Sequence, residues 1–161
     1  MSTTSSSKNV VIARAKPVDS TLLSELTFRS KAHWGYPEEQ MLAWRDELRI
    51  APEYISNHEV YMSKIDNTLI GFYAYREIEV AAVKLDYFFL DPDHMGKGNG
   101  KFLITDFLDR AKKERVQKVT LDADPNAEAF YQKFGFKTVD KLKSSIPGRF
   151  LPIMELSLKD F

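Results

Sequence analysis

Leu90-Asp91-Pro92-Asp93-His94-Met95-Gly96-Lys97-Gly98-Asn99-Gly100 is the stretch on which the fold turns. Ala81 to Leu90, just before it, reads as a strand that stops at Asp91-Pro92. In that strand Val83, Leu85, Tyr87 and Phe89 share one face, and Lys84, Asp86, Phe88 and Leu90 share the other. After it, Phe102, Leu103, Phe107, Leu108 and Ala111 recur at helical spacing. The unit is strand, glycine-rich loop, helix. Glycines permit unusual backbone angles and close approach of a ligand. A helix that starts just after them offers unpaired N–H groups and a positive dipole end, which suits a pyrophosphate. The spacing is not Gly-x-x-x-x-Gly-Lys-Ser/Thr, so a P-loop is unsupported. Nor does the unit open the chain after a first strand, as the dinucleotide fingerprint does.

Working outward, Val10-Val11-Ile12-Ala13-Arg14 predicts a first strand. Asp19-Ser20 is a helix N-cap candidate before Leu22, Leu23 and Leu26. Pro37 suits a first helical turn, and Met41, Leu42, Trp44 and Leu48 continue with helical period. His33-Trp34-Gly35-Tyr36 joins these two helices. Glu59 to Ile65 and Leu69 to Tyr75 flank Asp66-Asn67 and read as a hairpin. Downstream, Lys118-Val119-Thr120-Leu121 predicts a buried strand, and Asn126 to Phe134 a short helix closed by Gly135. Phe136 to Leu142 and Phe150 to Leu158 give two last strands around a Ser-Ser-Ile-Pro-Gly-Arg loop. The order β-αα-ββ-β-α-β-α-ββ describes one mixed α/β domain over 9–161, after a Ser/Thr-rich tail at 1–8 that reads as disordered.

At 161 residues the chain is long enough to bury one sizeable core. Lys plus Arg number 23 and Asp plus Glu number 23. That balance argues against a nucleic-acid partner and against attraction to an acidic membrane surface. The longest wholly apolar runs are four residues, such as Tyr87 to Leu90, so no membrane span is expected. There is no cysteine, which excludes disulfides, a cysteine nucleophile and thiolate metal sites, and favours the cytoplasm. No His/Asp/Glu cluster has metal-ligand spacing, so no metal is expected.

The glycine stretch, followed by Ala127-Glu128-Ala129-Phe130-Tyr131-Gln132-Lys133-Phe134-Gly135-Phe136, resembles the GNAT superfamily of acyl-CoA-dependent N-acetyltransferases. The likeness covers 10–158 in element order and is most specific over 85–136. It implies an α/β (α+β mixed) single domain with a central, mostly antiparallel twisted sheet of about six or seven strands and about four helices. It also implies acetyl-CoA as co-substrate. By resemblance, the backbone of Met95, Gly96, Lys97, Gly98, Asn99, Gly100 and Lys101 holds the pyrophosphate, and Phe88, Phe89 and Leu90 pair with the pantetheine arm. Two positions depart from the family pattern. Met95 stands where Arg or Gln is usual, which shifts weight onto Lys97 and Lys101. Asp124 stands where Asn is usual, with Asn126 nearby as a CoA contact.

Tyr131 matches the tyrosine that in this family protonates the departing thiolate, a task a phenol suits because it keeps its proton at neutral pH. Packing of the short helix is the simpler role for it. Amine acetylation also needs a base; Asp86, on the strand before the glycine loop, is the candidate, with Glu77 and Glu79 as alternatives. A backbone N–H near Phe88 to Leu90 would polarise the thioester carbonyl. By resemblance, His33, Trp34 and Tyr36 line the acceptor side. Arg149, between the last two strands, reads either as an exposed surface arginine or as a group that binds an acceptor carboxylate through a bidentate pair. The activity expected is acetyl transfer to a primary amine by direct attack, the acceptor being a small molecule or a protein amine. The alternative is a non-catalytic acyl-CoA-binding module on the same fold. A homodimer contact through the last strands and the 144–149 loop is left open.

Overall fold

The computed structural model describes residues 9–158. The Ser/Thr-rich segment 1–8 lies outside the described residues. Among the described residues, seven strands run β1 Val10–Arg14, β2 Glu59–Ile65, β3 Thr68–Glu79, β4 Ala82–Leu90, β5 Lys118–Asp122, β6 Lys137–Lys143 and β7 Phe150–Ser157, and five α-helices run α1 Ser20–Ala32, α2 Glu38–Trp44, α3 Pro52–Asn57, α4 Asn99–Lys113 and α5 Glu128–Lys133. The strands are hydrogen-bonded in the order β1-β2-β3-β4-β5-β7-β6. This is the mixed, mostly antiparallel sheet that the resemblance implies.

The chain gathers into two compact units: residues through Ala74 with Tyr87–Phe107, and Tyr75–Asp86 with Leu108 onward. In the first, β1 pairs antiparallel with β2, from Val10↔Ile65 to Arg14↔Tyr61. Asp66 and Asn67 take φ of 49° and 68°, as a two-residue hairpin turn between β2 and β3 requires. The core joins Leu23 and Leu26 of α1 to Ile50, Ile55, Val60, Met62, Phe72 and Ala74, with Tyr54, Leu69, Tyr87 and Phe89 packed against them. Ser20 Oγ donates to the Ile50 carbonyl at 2.6 Å and Ser24 Oγ accepts from the Ile50 N–H at 2.8 Å. These bonds satisfy a backbone that would otherwise be buried bare.

In the second unit, β4 and β5 are parallel, pairing Ala82↔Lys118, Val83↔Val119 and Lys84↔Thr120. β7 pairs antiparallel with both β5 and β6. β6 is exposed along its whole length, and Lys137, Lys141 and Lys143 give it the charge that discourages edge pairing. Of the α4 stripe read from the sequence, Leu103, Phe107 and Ala111 are buried and Leu108 is half-buried, whereas Phe102 is exposed and Ile104 is buried in addition. No helix among the described residues is long and apolar enough to cross a membrane.

Four local readings change. α3 is an added helix; six residues with Ile55 as their buried anchor leave no periodic signal. Asp19 does not cap α1, because its carboxylate accepts from the Lys16 N–H at 2.8 Å. Leu42 is exposed, while Met41 and Trp44 are buried. The helix expected from Asn126 begins as a 3-10 turn, Pro125–Ala127, and becomes α5 at Glu128.

Candidate active site

The Asp91 N–H donates to the Ile70 carbonyl on β3 at 2.8 Å. Strand alternation therefore directs the N–H and C=O groups of Phe88 and Leu90 away from β3. The parallel register runs from Ala82 to Lys84, and β4 continues to Leu90. Phe88 and Leu90 lie past the last of those register pairs. The Phe89 ring packs on the core side, 6.1 Å from Phe72 and 6.5 Å from Tyr87.

A 3-10 turn, Pro92–His94, follows. Asp91 organises it: one carboxylate oxygen accepts from the Asp93 N–H at 3.0 Å, the other from Arg29 Nη2 at 2.6 Å. Burial pushes the Asp91 carboxyl up, but the Asp93 N–H, the Arg29 guanidinium and the nearby His94 together hold it below the usual value. Gly96 and Gly98 then take φ of 76° and 81°, and a Cβ on either would meet nothing within 4 Å. The backbone here is open to close approach, in conformations that side-chain-bearing residues avoid. Asn99 Nδ2 donates back to the His94 carbonyl at 2.9 Å and closes the loop. The Phe102 N–H bonds the Gly98 carbonyl at 3.0 Å, so the Asn99, Gly100 and Lys101 N–H groups precede the first full turn of α4. Lys97 and Lys101 are exposed beside them, Met95 is half-buried, and Asn99 and Gly100 are buried. The residues present fit a pyrophosphate: open glycines, a helix start and flanking ammonium groups.

Tyr131 is buried on α5, edge-on to Phe130 at 5.4 Å and to Phe136 at 5.6 Å. Gly135, at φ 95°, ends the helix. Burial pushes the Tyr131 phenol well above the ordinary tyrosine value, and the Asp124 charge pushes the same way. Asn126 is folded back, its N–H and its side-chain amide donating to Asp124 Oδ1 at 2.8 and 2.9 Å. Arg149 also turns inward, onto Asp124 Oδ2 at 3.2 Å and Ser144 Oγ at 2.8 Å.

Asp86 receives Arg76 Nε on both oxygens, at 3.2 and 3.0 Å. Glu77 and Glu79 are exposed at the end of β3. On the α1–α2 connection, His33 and Trp34 are exposed and meet edge-to-face at 5.3 Å. Tyr36 instead packs edge-on to Trp44 at 4.9 Å, with Lys31 Nζ 5.4 Å from its ring centre. Among the described residues, no group of three or more His, Asp and Glu gathers as a metal site would. Sequence reasoning missed Arg29, Arg76 and the pairing of Asp124 with Arg149. Their partners lie 62, 10 and 25 residues away, with no spacing rule to join them.

The family model for the acetyltransferase (GNAT) domain matches residues 36–156, more than half of the chain. The chain belongs to the GNAT acetyltransferase family. As a GNAT protein it is an acyltransferase, and its glycine loop, β4 end and Tyr131 all fall inside the matched region. It is 26% identical over 145 residues to the uncharacterized N-acetyltransferase YafP of Escherichia coli strain K12, covering 87% of this chain and 89% of the relative. In fold, this GNAT chain is similar to the PaiA N-acetyltransferase of Thermoplasma acidophilum, solved in complex with coenzyme A. That likeness has a TM-score of 0.75 at 24% identity and covers 92% of this chain and 98% of the other. It is also similar in fold to the ribosomal-protein-S18-alanine N-acetyltransferase of Escherichia coli, with TM-score 0.70 at 18% identity over 92% and 94% of the two chains.

Proposed function

We propose that this protein transfers the acetyl group of acetyl-CoA to a primary amine, by direct attack with both substrates bound. The observation that carries the reading is the open backbone at Gly96 and Gly98, set at the start of α4. PaiA, a relative in fold, binds coenzyme A. Bound acetyl-CoA supplies the activated acyl carbonyl and a thiolate leaving group.

Met95 to Lys101 receive the pyrophosphate through main-chain N–H groups and the two lysines. Phe88 and Leu90 pair with the pantetheine arm, and a main-chain N–H there polarises the thioester carbonyl. Phe89 supports that edge from the core side. His33, Trp34 and Tyr36 flank the acceptor. Asp86 is the carboxylate proposed to take the amine proton; Arg76 covers both its oxygens, so the pair must open for it to do so. An Asp86→Asn variant with unchanged pH dependence would transfer that task to solvent. The amine forms the N–C bond first; Tyr131 keeps its proton until the C–S bond breaks, then delivers it to the departing sulfur. A cysteine-free chain suits this direct route and a cytoplasmic setting.

The test is a panel of small amines and peptide amines assayed by release of the CoA thiol. Acetylation of one class of amine is expected, and thiol release that no amine accelerates would remove the transferase reading. On an accepted amine, Tyr131→Phe should lower kcat by roughly 100-fold while the ring keeps its packing. Near-normal turnover would return Tyr131 to a packing role.

A further inference from the structure

Asp124 and Arg149 form an ion pair at 3.2 Å, with 13% and 17% of their side chains exposed. Asp124 holds more than the arginine. Its other oxygen accepts the Asn126 N–H and side-chain amide, and its carbonyl accepts the Ala127 N–H at 2.8 Å. It thereby shapes the turn from which α5, the helix bearing Tyr131, begins. Arg149 holds the other side. Its Nη1 donates to Ser144 Oγ at 2.8 Å, the Ser144 N–H donates to the Arg149 carbonyl at 3.0 Å, and the Arg149 N–H donates to the Ile146 carbonyl at 3.1 Å. The 144–149 loop is folded around its own guanidinium. Of the other charges on α5, Glu128 accepts from Thr138 Oγ1 at 2.6 Å, and Lys133 lies at the helix end.

We propose that Arg149 is a positioning residue for acetyl transfer, which with Asp124 seats the first turn of α5, the helix that carries Tyr131, and offsets the Asp124 charge, and is not a ligand for the acceptor. The inference rests on the reading of Tyr131 as proton donor. In that step the Tyr131 O–H bond breaks, an S–H bond forms on the departing thiolate, and the phenolate regains a proton from solvent before the next turnover. A bare carboxylate beside a buried phenol opposes the phenolate and slows the donation, while a paired one does so far less. Removing one member of a partly buried pair also leaves the other uncompensated, so each single variant leaves a charge of known sign.

The direct test places 2,3,5-trifluorotyrosine at position 131, whose phenol ionises well below that of tyrosine. Its fluorine resonance is then titrated in the intact protein without CoA. Arg149→Met should raise the midpoint by about one pH unit, a tenfold change in the equilibrium, and Asp124→Asn should lower it by a similar amount. Asparagine retains an oxygen for the Asn126 N–H, so this variant keeps the turn. The double variant should return close to the starting midpoint. In parallel, with Tyr131 in place, Arg149→Met should reduce kcat roughly tenfold with little change in the KM for acetyl-CoA. In a Tyr131→Phe background it should reduce kcat no further, and Arg149→Lys should restore part of the loss. Where Arg149→Met does not fold, the opposite shift in Asp124→Asn decides the matter alone. Midpoints that stay together, or a kcat loss that persists without the Tyr131 hydroxyl, overturn the proposal while the proton-donor reading stands. Full turnover in Tyr131→Phe overturns both.

Discussion

Gly71 and Gly98 are both glycines of necessity, for opposite physical reasons. A Cβ on Gly71 would lie 2.8 Å from Leu90 Cδ2, 3.0 Å from the Phe89 carbonyl oxygen and 3.1 Å from Ser63 Oγ. Around Gly98 there is open space and a positive φ. Gly71→Ala should therefore destabilise the fold by about 1–3 kcal/mol, read from urea unfolding. It should also weaken CoA binding, because the two nearest crowded atoms belong to the end of β4. Unchanged stability would mean that β4 shifts at little cost. The sequence exposes Gly98 through its spacing to Gly96 and Gly100. It conceals Gly71, since the crowding comes from another strand. The same limit applies at Arg149: its charge is visible in the chain, but its partner Asp124 is set by how β7 and the α5 turn meet. Tyr131 stands out in the chain because its signal, Tyr before Gly-Phe, is local.

At the level of elements, period carried most of the reading. The β2–β3 hairpin, the α4 stripe and the Gly135 stop all follow from local pattern. α3 did not, because a six-residue helix with one buried side chain has no period to detect. The α1–α2 connection divides its aromatics between two tasks. Trp34 is 42% exposed, whereas Tyr36 is held between Trp44 and Lys31. Trp34→Ala should raise the KM for the acceptor and leave the melting temperature and CoA affinity near their starting values. Tyr36→Ala should lower the melting temperature, since it removes an edge-to-face aromatic pair that contributes roughly 0.5–1.5 kcal/mol beyond its burial. Equal loss of CoA binding in both variants would make the connection a support for the cofactor side instead.

For the whole molecule, Asp91 links stability to pH. Its folded carboxyl is held below the ordinary value. The contribution is therefore complete above the unfolded carboxylate value and is lost as pH falls through the lower, folded one. Arg29→Met removes one cause of that depression, so its stability deficit should be plain at neutral pH and shrink in acid. A deficit that is constant with pH would assign Arg29 a packing role alone. The most direct measurement of the central claim, that the glycine loop is a coenzyme A cradle, is calorimetric titration of CoA into the protein and into Gly98→Val. Valine at a positive φ strains the loop and covers the open backbone. The expected result is saturable binding to the unaltered chain, no comparable binding of ATP or NAD, and an affinity at least tenfold weaker in a folded Gly98→Val, about 1.4 kcal/mol or more. Equal CoA affinity in the two folded proteins would contradict the cradle.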